Sequence, residues 1–292
     1  MSFQIPTAFV QQYRPMLERL VQQGGSRLRG NVRIETQVGV NEYFDRVGAV
    51  TARKVTTRHD DSPLISTPHD RRRVSILDYD WGDLIDTQDK LRLLLDPTST
   101  YSENARDAFG RAIDDEIIGA AFGTAFTGVD GSTQVTFPAG NQVAVNFKIG
   151  GGGSNSSLIL DKILEAKRLM DLKEVPADGR FIVASSKEFQ NLLNTTTVLS
   201  SDYNTVRALA SGQPGTLYGF EMIRSERLLV NGSAQNRVIA YQRDGLLLSM
   251  AQDISVEIAP RPDKRFAPYI YVCMTLGATR MEEERVIELV CA

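Results

Sequence analysis

The sequence predicts an α+β fold, and three observations carry the prediction. Residues 31–76 alternate apolar and polar side chains with period two, the pattern of half-exposed antiparallel strands. From Ser102 to about Phe126 apolar residues recur at helical spacing instead, over a run that would measure roughly 36 Å at 1.5 Å per residue. Downstream, strand-like and helix-like segments mix without regular strand–helix alternation, which argues against a doubly wound α/β sheet.

Taken in order, the chain opens with an arm. Phe9, Val10, Tyr13, Met16, Leu17, Leu20 and Val21 form one apolar face over residues 8–23, and Gly24 and Gly25 stop that helix. A short amphipathic helix at a terminus has little of its own to pack on, so it is expected to dock elsewhere on the fold or on another chain. Val32, Ile34 and Val38, then Val50 and Ala52, then Val74 and Ile76 mark the strands of a long two-stranded ribbon, with turn chemistry in DDSP and STPHD between them. An isolated ribbon of this kind is marginal in water and needs a surface to lie on. Helical spacing returns from Asp83 to about Asp96, where Pro97 ends it. In the long helix, capped by Ser102, the stripe is Ala105, Ala108, Phe109, Ala112, Ile113, Glu116 and Ile117. Its density of alanine and glycine allows another backbone to approach closely. Residues 127–155 read as strand–turn–strand, and 157–173 as an amphipathic helix with Ile159, Ile163, Ala166, Leu169 and Met170 on one side. RFIVAS at 180–185 reads as a buried strand and KEFQNLLN as a short helix. The segments VIAYQRDGLLLSMA, ISVEIAPRP, FAPYIYVCMTLGATRM and RVIELVCA close the chain as strands.

Composition narrows the function. The 292 residues are 42% apolar and 24% charged, enough for a real core. The net charge of −3 argues against a surface that is one basic nucleic-acid footprint. No cationic segment precedes an unbroken apolar run at the N-terminus, and no stretch of about 18 apolar residues occurs, so no membrane partner is expected. Cys273 and Cys291 fit no disulfide or zinc spacing and are expected to be buried, reduced thiols.

Chemistry-bearing constellations are sparse. His59 and His69 lie in a polar stretch, 58–73, that reads as loop and matches no ligand pattern. The glycine run 150–153 lacks the Lys-Ser or Lys-Thr of a phosphate loop, and reads as a hinge before a helix capped by Ser156 or Ser157. Asp78, Asp80, Asp83, Asp86 and Asp89, then Asp114, Asp115 and Glu116, lack the spacing of a calcium loop and read as a solvated or partner-facing acidic surface. No catalytic, cofactor or metal residues are predicted. Charge is unevenly placed instead. Residues 27–73 carry ten basic and six acidic side chains, net +4; residues 76–126 carry four and eleven, net −7. A basic ribbon projecting from its body can reach the acidic region of an identical neighbour, a heterologous contact that builds rings or lattices. The interface candidates are Arg71, Arg72 and Arg73 at the ribbon base, set against Asp78, Asp107, Asp114, Asp115 and Glu116, with the arginines standing on a projection outside the core.

The order of arm, ribbon, long helix, compact α/β region and returning strands resembles the major capsid proteins of tailed bacteriophages with the Hong Kong-type fold. The marks LEAKRLMDLKEVP at 164–176, SSDYNTVRALASG at 200–212, YGFEMIRSERL at 218–228 and LGATRMEEERVIEL at 276–289 resemble those of short phage capsid proteins. The resemblance implies an N-terminal arm at 1–30, an extended loop at 31–75, and a peripheral domain at 76–175 built on the "spine" helix. It further implies an axial domain at 176–245 and C-terminal strands, 246–292, returning to the peripheral domain. It implies self-assembly into pentamers and hexamers of an icosahedral shell, a portal, and packaged double-stranded DNA contacted without sequence preference. Such a protein resides in the virion and in the host cytoplasm during assembly. Met1 without a scaffold-like extension implies a separate scaffolding protein. The alternatives are an encapsulin-like compartment shell and a nucleotide-binding or hydrolytic enzyme. The missing nucleophile, base and phosphate loop argue against the enzyme.

Overall fold

A computed structural model describes residues 21–58, 61–62, 64–85, 98–193 and 216–292. The arm helix at 8–20, His59, Asp86, Asp89, most of the helix expected from Asp83, and the 200–212 segment lie outside these residues. In chain order the strands are β1 Arg33–Thr36, β2 Asn41–Val47, β3 His69–Ser75, β4 Leu77–Leu84, β5 Ala125–Thr127, β6 Thr133–Val135, β7 Gln142–Val143, β8 Arg180–Ala184, β9 Thr216–Leu217, β10 Phe220–Arg224, β11 Asn236–Gln242, β12 Leu246–Arg261, β13 Ala267–Arg280 and β14 Val286–Cys291. The helices are α1 Thr98–Phe122, α2 Leu160–Leu172 and α3 Ser186–Leu193.

Three sheets organise these elements. The first has strand order β1-β12-β13-β4, built around the long antiparallel hairpin of β12 and β13. Apolar side chains on one face of that hairpin, Leu246, Leu248, Met250, Ile270, Val272, Met274 and Leu276, meet Ala105, Phe109, Ile113 and Ile117 of α1 in the main core. These four are the central positions of the helical stripe. The second sheet, β7-β14-β11-β8-β10-β9, is mixed. Every residue of β8 and β14 is buried, as expected of strands covered on both faces. Ile163, Ala166 and Met170 of α2 and Leu192 of α3 cover one face in a second core. The third sheet, β2-β3-β5-β6, forms the base of the ribbon.

Several expectations change. The ribbon is not two-stranded at its base, because β3 also pairs with β5 and β5 with β6. Two further strands relieve the marginal stability of a lone hairpin. Residues 48–56, expected to continue the strand, lie outside β2, whereas His69, expected in a loop, begins β3. Asp83 and Leu84 end β4 rather than begin a helix. Tyr79 and Trp81 of β4 pack on the main core, so the alternation of Asp78, Tyr79, Asp80 and Trp81 is the period-two signature of a one-sided strand. The spine helix starts at Thr98, before Ser102. α2 is preceded by Ile159 with no side-chain cap, so neither Ser156 nor Ser157 caps it. β14 joins the second sheet, between β7 and β11.

Candidate assembly surface

The three consecutive arginines of β3 point to alternate faces, and their partners differ accordingly. Arg71 is exposed, and its Nε donates to Asp45 Oδ1 at 2.6 Å, directly opposite on β2. The Arg73 guanidinium carbon lies 4.5 Å from the centre of the Phe126 ring on β5. Arg72 is fully buried. Its Nε and Nη2 donate to the Met281 carbonyl at 3.3 and 3.2 Å, and Nη2 donates to Glu283 Oε1 at 2.6 Å. The expectation that all three arginines stand outside the core therefore fails for Arg72. It shares strand parity with buried Val74, and that parity was the available signal.

The acidic side chains of the spine helix are largely committed within the chain. Asp114 is fully buried and gathers residues 23–28 onto the helix. It accepts from Gln23 Nε2 and Ser26 Oγ at 2.5 Å each, and from the backbone amides of Arg27 and Leu28 at 3.1 Å each. Asp107 accepts from the Gly25 amide at 3.1 Å. Between these two carboxylates Gly110 leaves room for the crossing backbone, since a Cβ there would sit 2.6 Å from Gly25 Cα and 2.7 Å from the Ser26 nitrogen. Asp115, on the exposed side, pairs with Arg227. Glu116 accepts from the Tyr79 hydroxyl. Asp78 accepts from Thr275 Oγ1 at 2.7 Å on the neighbouring strand and is otherwise exposed.

The ribbon meets the body at a cluster that sequence reasoning did not single out. Arg46 of β2 pairs with Asp70 of β3 and donates to the Met281 carbonyl. Partial burial disfavours the charged form of Asp70. Hydrogen bonds from Thr127, Arg46 and the Arg71 backbone outweigh it and hold its pKa at about 2. Arg280, fully buried, donates through Nη1 to the Ala121 and Gly123 carbonyls at 2.9 Å each, closing the C-terminal end of the spine helix. Burial lowers the pKa of both Arg72 and Arg280, and Glu283 opposes that shift. Beyond this base Val47, Val50, Val55, Leu64 and Ile65 are exposed along the ribbon.

The remaining candidates take structural places. Gly150, Gly151 and Gly152 all adopt positive φ, and Gly153 packs against Asn146, so the glycine run is a tight turn. Lys162 is buried, with Nζ donating to the carbonyls of Ser156, Ser157 and Val290 at 2.6, 3.1 and 2.8 Å. Among the described residues no group of three or more His, Cys, Asp or Glu could hold a metal, and no helix is long and apolar enough to cross a membrane. Cys291 is buried and its thiol is pushed up to about 12 by that burial. Cys273 was expected to be buried and is only half-buried, because alternation along β13 turns it away from the spine helix.

The chain thus combines a sheet carrying a long helix, a mixed second sheet and an exposed ribbon. The phage capsid protein family model matches residues 5–292, so the chain belongs to that family. The capsid structure of the cyanophage P-SCSP1u is similar with a TM-score of 0.76 at 15% identity, covering 99% of this chain and 94% of that one. The capsid of Ralstonia phage GP4 matches with a TM-score of 0.74 at 14% identity, covering 100% and 97%. The capsid of a native GTA particle matches at 0.70 and 14% identity, covering 98% and 96%. No curated protein matches the sequence. The chain is a major capsid protein with the Hong Kong-type fold, a structural component of the virion.

Proposed function

We propose that copies of this chain assemble into hexamers and pentamers of an icosahedral shell, with the ribbon of one copy lying on the next. The observation that carries this reading is the ribbon itself. Its base is locked to its own body, yet its outer part exposes a run of apolar side chains that the described residues leave uncovered. The basic tip residues Lys54 and Arg58 are exposed there, and Asp78 and Asp80 are exposed along the edge strand β4. Charge complementarity favours a contact between the two in neighbouring copies. Of the candidates read from sequence, Arg71, Asp78 and Asp115 are exposed, and Arg73 and Glu116 are half-buried. Arg72, Asp107 and Asp114 serve by holding the ribbon and the arm root in place.

In this reading the sheet under the spine helix belongs to the peripheral domain, and the six-stranded sheet to the axial domain at the capsomer centre. A separate scaffolding protein and a portal take part in assembly, in the host cytoplasm. The shell encloses double-stranded DNA and contacts it weakly and without sequence preference. The net charge of −3 provides little excess cation for phosphate neutralisation. The protein has no enzymatic role. The test is assembly yield against salt for wild type and for the double reversal Lys54→Glu, Arg58→Glu. Wild-type assembly should weaken at high salt, and the reversal should weaken assembly at low salt while leaving the circular dichroism unchanged. Equal yields at low salt would overturn the charge contact.

A further inference from the structure

Glu283 stands where three parts of the chain converge. Its Oε1 accepts from Arg72 Nη2 at 2.6 Å and lies 3.8 Å from Arg280 Nε, while Oε2 lies 3.9 Å from Arg46 Nη1. Arg46 and Arg72 belong to the ribbon. Arg280 belongs to β13 and closes the spine helix through the Ala121 and Gly123 carbonyls. The backbone carbonyl of Glu283 is itself held by the Asn141 side chain. One carboxylate thus serves cations from both the ribbon and β13.

The cluster leaves little slack. Arg72 and Arg280 are fully buried, and Arg46 Nε, Arg72 Nη1 and Arg280 Nε have no hydrogen-bond partner. Asp70 is taken by Arg46 and Thr127. Glu42, on the same ribbon face as Arg46 and Arg72, has a buried Oε2 without a partner. The apolar contact beneath the ribbon is small, comprising Val74, Leu247 and Met281 with Phe44 packed against them. Charged groups therefore outnumber apolar ones at the seat of the ribbon, in surroundings of low dielectric where each interaction is strong.

We propose that Glu283 is a shared counter-ion that couples the seating of the ribbon to the C-terminal cap of the spine helix. A ribbon that swings takes Arg72 with it. Glu283 then turns toward Arg280, and the hold of Arg280 on the last helical carbonyls changes. An event at the ribbon is felt at the helix end through one carboxylate. The coupling is a property of the single subunit, so it stands or falls separately from the assembly reading.

The test is residue-resolved amide hydrogen exchange on the unassembled subunit. Arg72→Gln should speed exchange across residues 69–75. It should also change exchange at residues 121–125 by about threefold or more, the scale at which directly networked residues couple. Arg71→Gln, which removes an exposed neighbour paired with Asp45, should leave residues 121–125 as in wild type. Glu283→Gln should reproduce the change at both ends, and adding Arg72→Gln to it should have no further effect at 121–125. Arg72→Lys retains the buried cation, protects the fold and serves the same comparison. If the ribbon base loosens while residues 121–125 exchange at the wild-type rate, or if the two glutamine variants add independently, the coupling is refuted.

Discussion

Two glycines of the spine helix should respond to alanine in opposite directions. In a helix interior, Gly→Ala stabilises by about 0.5–1 kcal/mol through backbone entropy. At Gly119 nothing lies within 4 Å of the added Cβ, so Gly119→Ala should yield that gain in full. At Gly110 the added Cβ meets backbone, 2.6 Å from Gly25 Cα and 2.7 Å from the Ser26 nitrogen, and no side-chain rotation relieves it. The crossing segment must lift away, which strips the buried Asp114 carboxylate of its donors from Ser26, Arg27 and Leu28. Each buried group left unsatisfied costs about 1–3 kcal/mol. Two such losses total about 2–6 kcal/mol and outweigh the helical gain, so Gly110→Ala should destabilise by about 1–5 kcal/mol. Urea denaturation of the unassembled subunit measures both variants, and amide exchange at Leu28 reports whether the crossing segment has lifted. A Gly110→Ala protein as stable as Gly119→Ala, with Leu28 still protected, would refute the reasoning.

Three further outcomes follow from the same geometry. Maleimide labelling of native protein should modify half-buried Cys273 well before Cys291, whose thiol burial raises to about 12; equal rates would mean that β14 is not buried. The Asp70 pKa, lowered from 3.8 to about 2, stabilises the ribbon base fully above 3.8, and this contribution is lost as pH falls toward 2. Thr127→Val removes a hydrogen bond that lowers that pKa, so proteolysis of the ribbon during acidification should begin at higher pH than in wild type. Asp114→Ala should expose residues 22–28 to protease while the second sheet keeps its exchange protection, because among the described residues the carboxylate's hydrogen bonds run to the arm root.

Apolar periodicity carried most of the fold. Ala105, Phe109, Ile113 and Ile117 stood out because a buried helical face repeats every three to four residues, and β8, β11 and β14 because each carries a run of mostly apolar residues. Charged residues were harder to place. A run such as Asp114, Asp115 and Glu116 reads as solvated when its donors are 88 residues away in sequence, as Ser26 is from Asp114. The same applies to Arg72 and Glu283, which are separated by 211 residues. Strand β4 was missed because its outward aspartates alternate with Tyr79 and Trp81, whose burial depends on the spine helix being present. The long-range pairing of charges is therefore what the sequence conceals, and it is where the candidate surface differs most from its expectation.

In the proposed assembly, copies of this chain close a shell by laying ribbons on neighbours. Cryo-electron microscopy of the protein assembled with its scaffold shows where each ribbon lies. Closed particles with fivefold and sixfold capsomers are expected, in which residues 48–68 of one copy cover a neighbouring copy. Particles whose ribbons fold back on their own subunit, or a product that stays monomeric under every condition with the ribbon ordered, would contradict it.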